Sequence, residues 1–266
     1  IAFELLIGVY FLVAVSYTAL LGIAGKFYRM PNLDYSAPKN KIAVLVPAYK
    51  EDNVIIPVAK SHLRQTYPKN CYEVVIIADQ LAEATLAELR QLPITLIVAE
   101  FEKSTKVKSL NLAFEKLQQK YDLAVIADAD NIMAPDFLEK INAGFNKGWR
   151  VMQGKRMAKN LNSPYAVLDA ASESINNHLF RKGFHALGWS SALIGSGMAF
   201  EFDYLKEKLQ DIKAVGGFDK PLQLAILNDR VRINYLEHAV IYDEKNNIID
   251  GECNYIDEEM DDLDMM

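Results

Sequence analysis

Two aspartates separated by one residue follow an apolar run near the middle of the chain. The run reads VIADADN at positions 125–131, and the aspartates are Asp128 and Asp130. Because side chains alternate along a strand, both carboxylates face the same way at its end. Two hard oxygen ligands suit Mg²⁺ or Mn²⁺, which also bind phosphate oxygens. Aspartate is common in turns as well, so a turn without metal is the plainer interpretation of this motif alone.

Two further segments could bind a nucleotide or its phosphates. VPAYKED at 46–52 directly follows a β-rich run and offers backbone donors and a tyrosine for stacking. STKVKSLNLAF at 104–114 places Lys106 and Lys108 at the start of a predicted helix, whose N-terminus favours anions. A lysine there could contact a diphosphate. For Lys108 taken singly, a solvated basic loop is an equally good interpretation, because most lysines are exposed.

The elements that would position these residues alternate between strands and helices. Apolar runs predict strands at 41–48, 72–78, 94–99 and 123–127, and helical patterns fall at 53–65, 81–91, 105–120 and 134–145. Such alternation is typical of an α/β fold with a mostly parallel sheet and helices on both faces. Ligands bind such sheets beyond the carboxyl ends of the strands, where Tyr49, Asp79 and Asp128 are predicted to lie.

The second half of the chain is less regular. Positions 151–156 predict a further strand. Ser163 as N-cap and Pro164 in the first turn predict a helix that runs to Lys182 and stops at Gly183. A glycine-rich apolar segment follows and contains GSGMAF, which on its own could be a tight turn before a strand. The acidic stretch DEEMDDLD at 257–264 predicts a solvated or disordered end.

Composition argues against several classes of function. The 266 residues have a net charge of −6, whereas nucleic-acid-binding proteins usually present a basic stripe, so no nucleic acid partner is expected. Cys71 and Cys253 are the only cysteines, and they match no zinc, redox or disulfide pattern. A domain that faces a reducing cytosol follows from this usage. The four histidines fit no metal-ligand spacing and are interpreted as surface or packed residues.

An uncharged apolar run from Leu5 to Gly25 predicts a transmembrane helix. At 1.5 Å per residue the run spans roughly 30 Å, the thickness of a bilayer core. A buried core helix would show a polar face, and a signal peptide would show a basic segment before the run. Lysines and arginines from Lys26 to Lys41 place the soluble part on the cytoplasmic side. We therefore expect a single-pass inner-membrane anchor at 1–25 and a linker at 26–40.

The motifs together resemble the family-two inverting glycosyltransferases with the glycosyltransferase-A fold. The resemblance covers roughly Lys41 to Lys245, and its specificity lies in the order and spacing of the pieces. These are VPAYKED, the end of the second strand in VIIADQ, KVKSLN, VIADADN, GSGMAF and GGFD…INYLEHAVIYDEK. The resemblance implies a catalytic domain at 41–250, followed by the acidic tail at 251–266.

The resemblance also implies a UDP-sugar donor, a Mg²⁺ or Mn²⁺ cofactor and a glycan or lipid-linked acceptor at the membrane. Asp79 would hydrogen-bond the base, Lys106 would lie near the nucleotide, and Asp128 would contact the ribose or the metal. Asp130 would ligate the metal. The uridine would be framed by Pro47, Ala48, Tyr49 and Glu51, and the sugar and acceptor side would be lined by Gly195, Ser196 and Gly197.

One segment departs from the family's pattern. Members usually carry an acidic pair after GGF, and its aspartate is the catalytic base, but this chain reads GGFDKPLQL at 216–224. Lys220 and Pro221 occupy the acidic pair, and Gln223 replaces a later glutamate. Asp219 is the substitute candidate for the base, and a helix N-cap is its alternative role. The Gln-x-x-Arg-Trp motif of processive members is also absent from the sequence.

Two functions from different classes follow. The first is an active membrane-associated glycosyltransferase, which rests on Asp128, Asp130 and the nucleotide-side motifs. The second is a catalytically silent homologue that still binds a nucleotide sugar or serves as a scaffold, which rests on Lys220, Pro221 and Gln223. A nucleotidyltransferase fits less well, because VPAYKED lacks the glycine-rich phosphate loop that such enzymes need.

Overall fold

A mixed eight-stranded sheet lies at the centre of the computed structural model, which describes residues 2–213 and 216–244. The strands are β1 (Ile42–Tyr49), β2 (Tyr72–Asp79), β3 (Thr95–Ala99), β4 (Leu123–Ile126), β5 (Ile132–Met133), β6 (Val151–Ala158), β7 (Met198–Glu201) and β8 (Ile233–Asp243). Their order across the sheet is β3-β2-β1-β4-β7-β6-β8-β5. The four strands predicted in the first half of the chain are therefore neighbours in one sheet.

The parallel half of the sheet brings three predicted site segments to one edge. β1 pairs in parallel with both β2 and β4, and Tyr49 lies opposite Asp79 at the carboxyl ends. Leu45 of β1 lies opposite Ile126, two residues before Asp128. Beyond β4 the pairing of β7 is antiparallel, whereas β6 and β8 run parallel to each other. The predicted mostly parallel α/β sheet is confirmed, with β5 and β7 as antiparallel strands.

Alternating side chains of the strands form two apolar layers, one on each face of the sheet. In β1, Ile42, Val44 and Val46 belong to one buried cluster, and Ala43 and Leu45 belong to the other. Helices cover both faces, as the strand composition predicts. In chain order, the helices of the described residues are α1 (Ala2–Lys26), α2 (Ile55–His62), α3 (Glu83–Leu89), α4 (Lys106–Lys116), α5 (Phe137–Asn146), α6 (Pro164–Asn176), α7 (Phe184–Ala186), α8 (Phe202–Gln210) and α9 (Asp219–Asn228).

The helix that was predicted to stop at Gly183 continues past that residue. Ser163 is the N-cap as predicted, and its hydroxyl accepts a hydrogen bond from the Ala166 N–H. A π-helical segment, Asn177–Gly183, then joins α6 to α7 without a break. The predicted stop is wrong because Gly183 has another use, which is close packing. A Cβ on Gly183 would lie 2.6 Å from the Leu21 carbonyl oxygen of α1.

The N-terminal helix α1 is apolar and exposed over most of its length. Among the described residues it is the one helix long and apolar enough to cross a membrane, and little of its apolar stretch is buried. Its last turns pack against the π-helical segment, where His178 Nε2 lies 2.8 Å from the Gly22 carbonyl oxygen. Residues 27–41 form turns and loops before β1. The predicted acidic tail at 251–266, Cys253 and the last six residues of the predicted domain lie outside the described residues.

The buried histidine of α2 gives the fold a specific pH dependence. His62 is fully buried, and among the described residues neither ring nitrogen has a hydrogen-bond partner. Burial lowers its pKa from 6.5 to about 4. Because the unfolded chain binds the proton more tightly, stability falls as the pH drops from 6.5 towards 4, by about 3 kcal/mol in all.

Replacing His62 with leucine should remove this component of the pH dependence. We expect the free energy of unfolding of His62→Leu, measured with urea in detergent, to decrease less than that of the wild type between pH 7.5 and pH 5. The exposed His238 supplies the control, and His238→Gln should keep the wild-type dependence. Equal decreases in His62→Leu and the wild type would contradict the assignment.

Candidate active site

The ends of β1 and β2 form one wall of a cleft at the carboxyl edge of the sheet. Tyr49 is 46% exposed there, and the next residue, Lys50, donates its N–H to the Asp79 carbonyl oxygen at 3.1 Å. Lys50 and Gln80 both have positive φ angles, 57° and 56°. Such angles are uncommon for residues other than glycine, and they turn the chain sharply at both strand ends. This geometry leaves the Tyr49 ring accessible for stacking.

Asp79 presents a buried carboxylate that lacks a protein partner. The residue is 1% exposed, and within the described part of the chain neither carboxylate oxygen accepts a hydrogen bond. A buried, unsatisfied polar group is costly, so native proteins rarely retain one without a ligand or a bound water. The position of Asp79 and its unsatisfied carboxylate are therefore those expected of a residue that accepts a hydrogen bond from a ligand.

Lys106 connects the start of α4 to the aspartates after β4. Thr105 caps the helix by accepting a hydrogen bond from the Lys108 N–H, which fixes the first turn. The Lys106 ammonium forms an ion pair with Asp128 and donates to the Gly195 carbonyl oxygen at 2.8 Å. Lys108, by contrast, bonds the Lys103 carbonyl oxygen on the exposed side of the loop. The structure thus separates the two predicted lysines and brings only Lys106 to the aspartates.

Asp130 is partly buried, like Asp128, and lies in a region of concentrated negative charge. Burial raises its pKa to about 6, and the neighbouring carboxylates of Asp243 and Asp128 add to this shift. Burial and the Asp128 charge also raise the pKa of Glu51. This excess of negative charge would be relieved by a cation.

The chemistry of these carboxylates fits a divalent cation that also has ligands from outside the protein. Among the described residues, no three acidic, histidine or cysteine side chains converge closely enough to hold a metal on their own. Mg²⁺ in particular binds through one or two carboxylates, with water and substrate phosphates as the remaining ligands. Asp128 and Asp130 would supply the protein ligands, and the Lys106 ammonium already neutralises part of the charge on Asp128.

The loop before β7 forms the opposite wall of the site. Gly195 and Gly197 have φ angles of 85° and 63°, a region that favours glycine. Ser196 between them is fully buried, and its hydroxyl accepts a hydrogen bond from the Asp128 N–H at 3.1 Å. Gln153 of β6 supports the loop from below, since its amide donates to the Ser196 carbonyl oxygen at 3.0 Å. GSGMAF is therefore both a tight turn before a strand and a neighbour of the aspartates.

The residues that replace the acidic pair have structural roles at the start of α9. Lys220 donates to the Leu193 carbonyl oxygen at 2.7 Å, and Gln223 accepts from the Leu193 N–H at 2.9 Å. Together they fix the chain two residues before Gly195. Pro221 lies in the first turn of the helix, as predicted.

Asp219 is the first residue of α9 and lies next to the site. The cap position belongs to Phe218, and among the described residues this helix has no side-chain cap hydrogen bond, so the alternative N-cap role of Asp219 is not observed. Its carboxylate lies 3.1 Å from the Lys220 ammonium. The Phe218 ring centroid is 5.3 Å from the Lys106 nitrogen, which places the helix start beside the lysine that contacts Asp128.

Sequence patterns alone did not assign a role to several residues that line or support the site. Asn131 belongs to the VIADADN motif, but only the structure shows its side chain between Asp130 and Asp243. Arg156 lies 3.5 Å from Asp243 and pairs with Glu173 of α6 at 2.7 Å. For Asn131, the signal in the sequence was a polar residue directly after two metal-type aspartates. Asp243 belongs to the motif INYLEHAVIYDEK but was given no role of its own. For Arg156 and Glu173 no local pattern exists, because their partners are distant in sequence.

Solved structures with low sequence identity share this fold. The mannosyltransferase PcManGT from Pyrobaculum calidifontis, in complex with GDP-Man and Mn²⁺, matches with a TM-score of 0.63 and 20% identity over 87% of this chain and 67% of that chain. S. aureus TarS 1–349, in complex with UDP-GlcNAc, matches with a TM-score of 0.55 and 19% identity over 80% of this chain and 60% of that chain. The chain thus spans about two thirds or less of each of these proteins.

A family comparison agrees with the architecture. No curated protein sequence matches the chain significantly. The family model described as glycosyltransferase like family 2 matches residues 38–251, which is most of the chain. The match includes every predicted site residue from Pro47 to Asp219. On this match and on the glycosyltransferase-A fold of the sheet and its helices, the chain belongs to glycosyltransferase family 2.

Proposed function

We propose that this chain is a metal-dependent glycosyltransferase that moves a sugar from a UDP-sugar to a glycan or lipid-linked acceptor with inversion. The observation that supports it most is the convergence of four side chains at one edge of the sheet: Asp79, Lys106, Asp128 and Asp130. The unpaired carboxylate of Asp79 suits a hydrogen-bond donor of the nucleobase, and the Lys106 ammonium suits the diphosphate. Asp128 and Asp130 suit a divalent cation.

Each predicted residue has a proposed task at this edge. Asp79 accepts a hydrogen bond from the base, which is stacked near Tyr49. Lys106 exchanges its contact with Asp128 for the diphosphate. The uridine is framed by Pro47, Ala48, Tyr49 and Glu51, and the sugar and acceptor lie against Gly195, Ser196 and Gly197. The structures of relatives with GDP-Man and Mn²⁺ or with UDP-GlcNAc support a nucleotide-sugar donor.

The reaction follows from these positions. An acceptor hydroxyl attacks the anomeric carbon from the face opposite the diphosphate, so the new bond forms as the bond to the diphosphate oxygen breaks. Asp219 removes the hydroxyl proton as general base. Mg²⁺ or Mn²⁺ held by Asp128 and Asp130 would supply charge neutralisation for the leaving diphosphate. No covalent enzyme intermediate is required, and the anomeric configuration inverts.

Replacing Asp79 with leucine tests the nucleotide side of the proposal. A hydrogen bond to a charged group contributes about 1.5–3 kcal/mol, so the Kd for UDP, measured calorimetrically in detergent, should rise at least about tenfold. The thermal midpoint of the ligand-free protein should rise, because an unpaired buried carboxylate is removed. Asp79→Asn keeps an acceptor oxygen and should lose less affinity. Unchanged UDP binding in a folded Asp79→Leu protein would rule out this role.

Lys220, Pro221 and Gln223 favour the alternative that the chain is a silent homologue, which binds a nucleotide sugar or serves as a scaffold without turnover. Pro221→Asp places a carboxylate at the usual position of the base, in a helix turn that tolerates many residues. A large gain in turnover over an inactive wild type would support the silent homologue. An unchanged rate, together with loss of activity in Asp219→Asn, would support Asp219 as the base.

We also propose that α1 anchors the chain in the inner membrane, with the catalytic domain at 41–250 facing the cytoplasm. The length, composition and exposure of α1 support this, and so do the basic residues that follow it. An anchor of this kind would bring the domain close to a lipid-linked or membrane-proximal acceptor. The acidic tail and the linker at 26–40 complete the proposed organisation.

A further inference from the structure

The asparagine after the two aspartates is buried at the point where the metal side and the sugar side of the site meet. We propose that Asn131 is a positioning residue that sets the Asp130 carboxylate for the divalent cation and ties it to the Ser196 loop. The inference rests on the metal-dependent function proposed above. It assigns a task to a side chain that would not itself contact the metal or the donor.

Both the amide nitrogen and the amide oxygen of Asn131 form hydrogen bonds. It is 0% exposed, and its amide nitrogen donates to Asp130 Oδ1 at 2.8 Å and to Asp243 Oδ1 at 2.7 Å. Its amide oxygen accepts from the Ser196 hydroxyl. The opposite amide orientation would point an oxygen at two carboxylates, so the partners determine the orientation. The Asn131 backbone N–H also donates to the Asp128 carbonyl oxygen at 3.2 Å, which fixes the turn.

The amide separates two carboxylates that would otherwise repel each other. Asp130 Oδ1 and Asp243 Oδ1 lie 2.8 Å and 2.7 Å from the same Asn131 amide nitrogen, so the two carboxylates are close neighbours. With the amide between them, both accept a hydrogen bond, and Oδ1 of Asp130 is held while Oδ2 remains for another ligand. Without the amide, like charges in a buried region would drive the two side chains apart. The direction of the Asp130 carboxylate would then no longer be set.

Asp243 is itself held by a series of ion pairs that leads from the partly buried Arg156 to the buried Glu173 and Arg181. Arg156 contacts Asp243 at 3.5 Å and Glu173 at 2.7 Å, and Glu173 in turn pairs with Arg181 at 2.9 Å. The far partner of Asn131 is therefore fixed to α6 and the π-helical segment. Asn131 thus orients Asp130 against a rigid support, as hydrogen-bonded partners orient metal ligands in other proteins.

The same side chain links the metal side to the sugar side. The Ser196 hydroxyl donates to Asn131 and accepts from the Asp128 N–H, so one serine joins two points of the aspartate turn. A shift of Asn131 would move both Asp130 and the loop between Gly195 and Gly197. The consequence is a joint loss of metal affinity and of loop order, which distinguishes positioning from a simple loss of stability.

Manganese binding measured by electron paramagnetic resonance tests the inference without turnover. Mn²⁺ is titrated into the chain with α1 intact, in detergent and at constant UDP, with Asp130→Ala as the blank. Asn131→Leu, which keeps the size and removes the hydrogen bonds, should weaken Mn²⁺ binding about 10- to 100-fold. Asp243→Ala should weaken it too, and the double variant should lose less than the sum of the two single losses, because the residues act as one unit.

Asn142 supplies the matched control. It is a buried asparagine on α5 with its own network, which includes hydrogen bonds from Asn40 and Tyr67. Asn142→Leu should lower the unfolding temperature and leave Mn²⁺ binding unchanged. If folded Asn131→Leu binds Mn²⁺ within twofold of the wild type, the inference is wrong and the metal-dependent function stands. If the wild type shows no Asp130-dependent Mn²⁺ binding, the metal assignment fails and takes the inference with it.

Discussion

Replacing Asp130 with alanine is expected to lower kcat/KM for sugar transfer by at least about a hundredfold, with loss of metal dependence. Asp130 is a partly buried carboxylate of the candidate metal site, and its raised pKa of about 6 reflects burial together with the charges of Asp243 and Asp128. A cation that relieves this repulsion would also neutralise the leaving diphosphate. Its removal should therefore slow the step in which the diphosphate departs.

Release of UDP at saturating Mn²⁺ and varied donor concentration measures this effect. Asp130→Asn is a near-isosteric comparison, since it keeps the shape and a hydrogen-bond acceptor for Asn131 but loses the charge. We expect kcat/KM of Asp130→Asn to fall almost as far as that of Asp130→Ala, because the negative charge of the carboxylate is what binds the cation. Full activity in either variant, at the wild-type metal concentration, would mean that Asp130 is not a metal ligand.

Replacing Asp219 with asparagine is expected to lower kcat about 10²- to 10⁴-fold, while the Kd for the donor changes little. The variant removes a proton acceptor and keeps the size of the side chain. Asp219 is the carboxylate nearest in sequence to the missing acidic pair, and it lies at the start of α9 beside Phe218, whose ring packs near Lys106. A base acts on the acceptor rather than on the nucleotide, so donor binding should survive.

Single-turnover transfer and UDP binding, measured on the same preparation, separate the two effects. The exposed Asp203 on α8 provides a control, and Asp203→Asn should retain the wild-type rate. If Asp219→Asn transfers sugar at the wild-type rate, the base is another group. If it loses donor affinity as much as turnover, Asp219 supports the fold of the site rather than the proton transfer.

The parallel half of the fold was predictable because its signals are local. Apolar runs that end in Tyr49, Asp79 and Ile126 are long enough and regular enough to predict neighbouring strands, and short βα connections force them into one parallel sheet. The cap of α6 was equally visible, since Ser163 is a good N-cap residue, whereas Thr105, the N-cap of α4, was predicted as part of that helix. The same local patterns predicted that Tyr49, Asp79 and Asp128 follow the carboxyl ends of parallel strands, and the structure places them at that edge of the sheet.

The roles of several residues in the second half of the chain could not be predicted, because those roles depend on contacts between segments that are distant in sequence. Gly183 looks like a helix stop, yet it is needed where the backbone of Leu21 approaches. Lys220 and Gln223 stand where the family has acidic residues, which suggests a loss of catalytic groups, yet both form hydrogen bonds with the backbone of Leu193. No local pattern contains that information, since the partner is 27 or 30 residues away.

Asn131 and Asp243 show the same limit at the site itself. The sequence places Asn131 directly after the two aspartates, which marks it for attention, but it does not reveal which group its amide faces. That group, Asp243, is 112 residues away and enters the site at the end of β8. The register of β6 on β8 brings Arg156 opposite Ile241 and so carries Arg156 to Asp243. The antiparallel pairing of β5 with β8 puts Ile132 opposite Tyr242, which brings Asn131 next to Asp243. Only the sheet order β6-β8-β5 makes these residues neighbours.

A UDP-release screen tests the central claim most directly. The full chain, purified in detergent with α1 intact, is incubated with a panel of UDP-sugars, Mn²⁺ or Mg²⁺ and a crude membrane-lipid extract as acceptor source. Asp130→Ala and a metal-free sample are the blanks. We expect metal-dependent release of UDP from one donor, and this release should be lost in both blanks. Binding of a UDP-sugar with no release in any combination would contradict it and would identify the chain as a silent homologue.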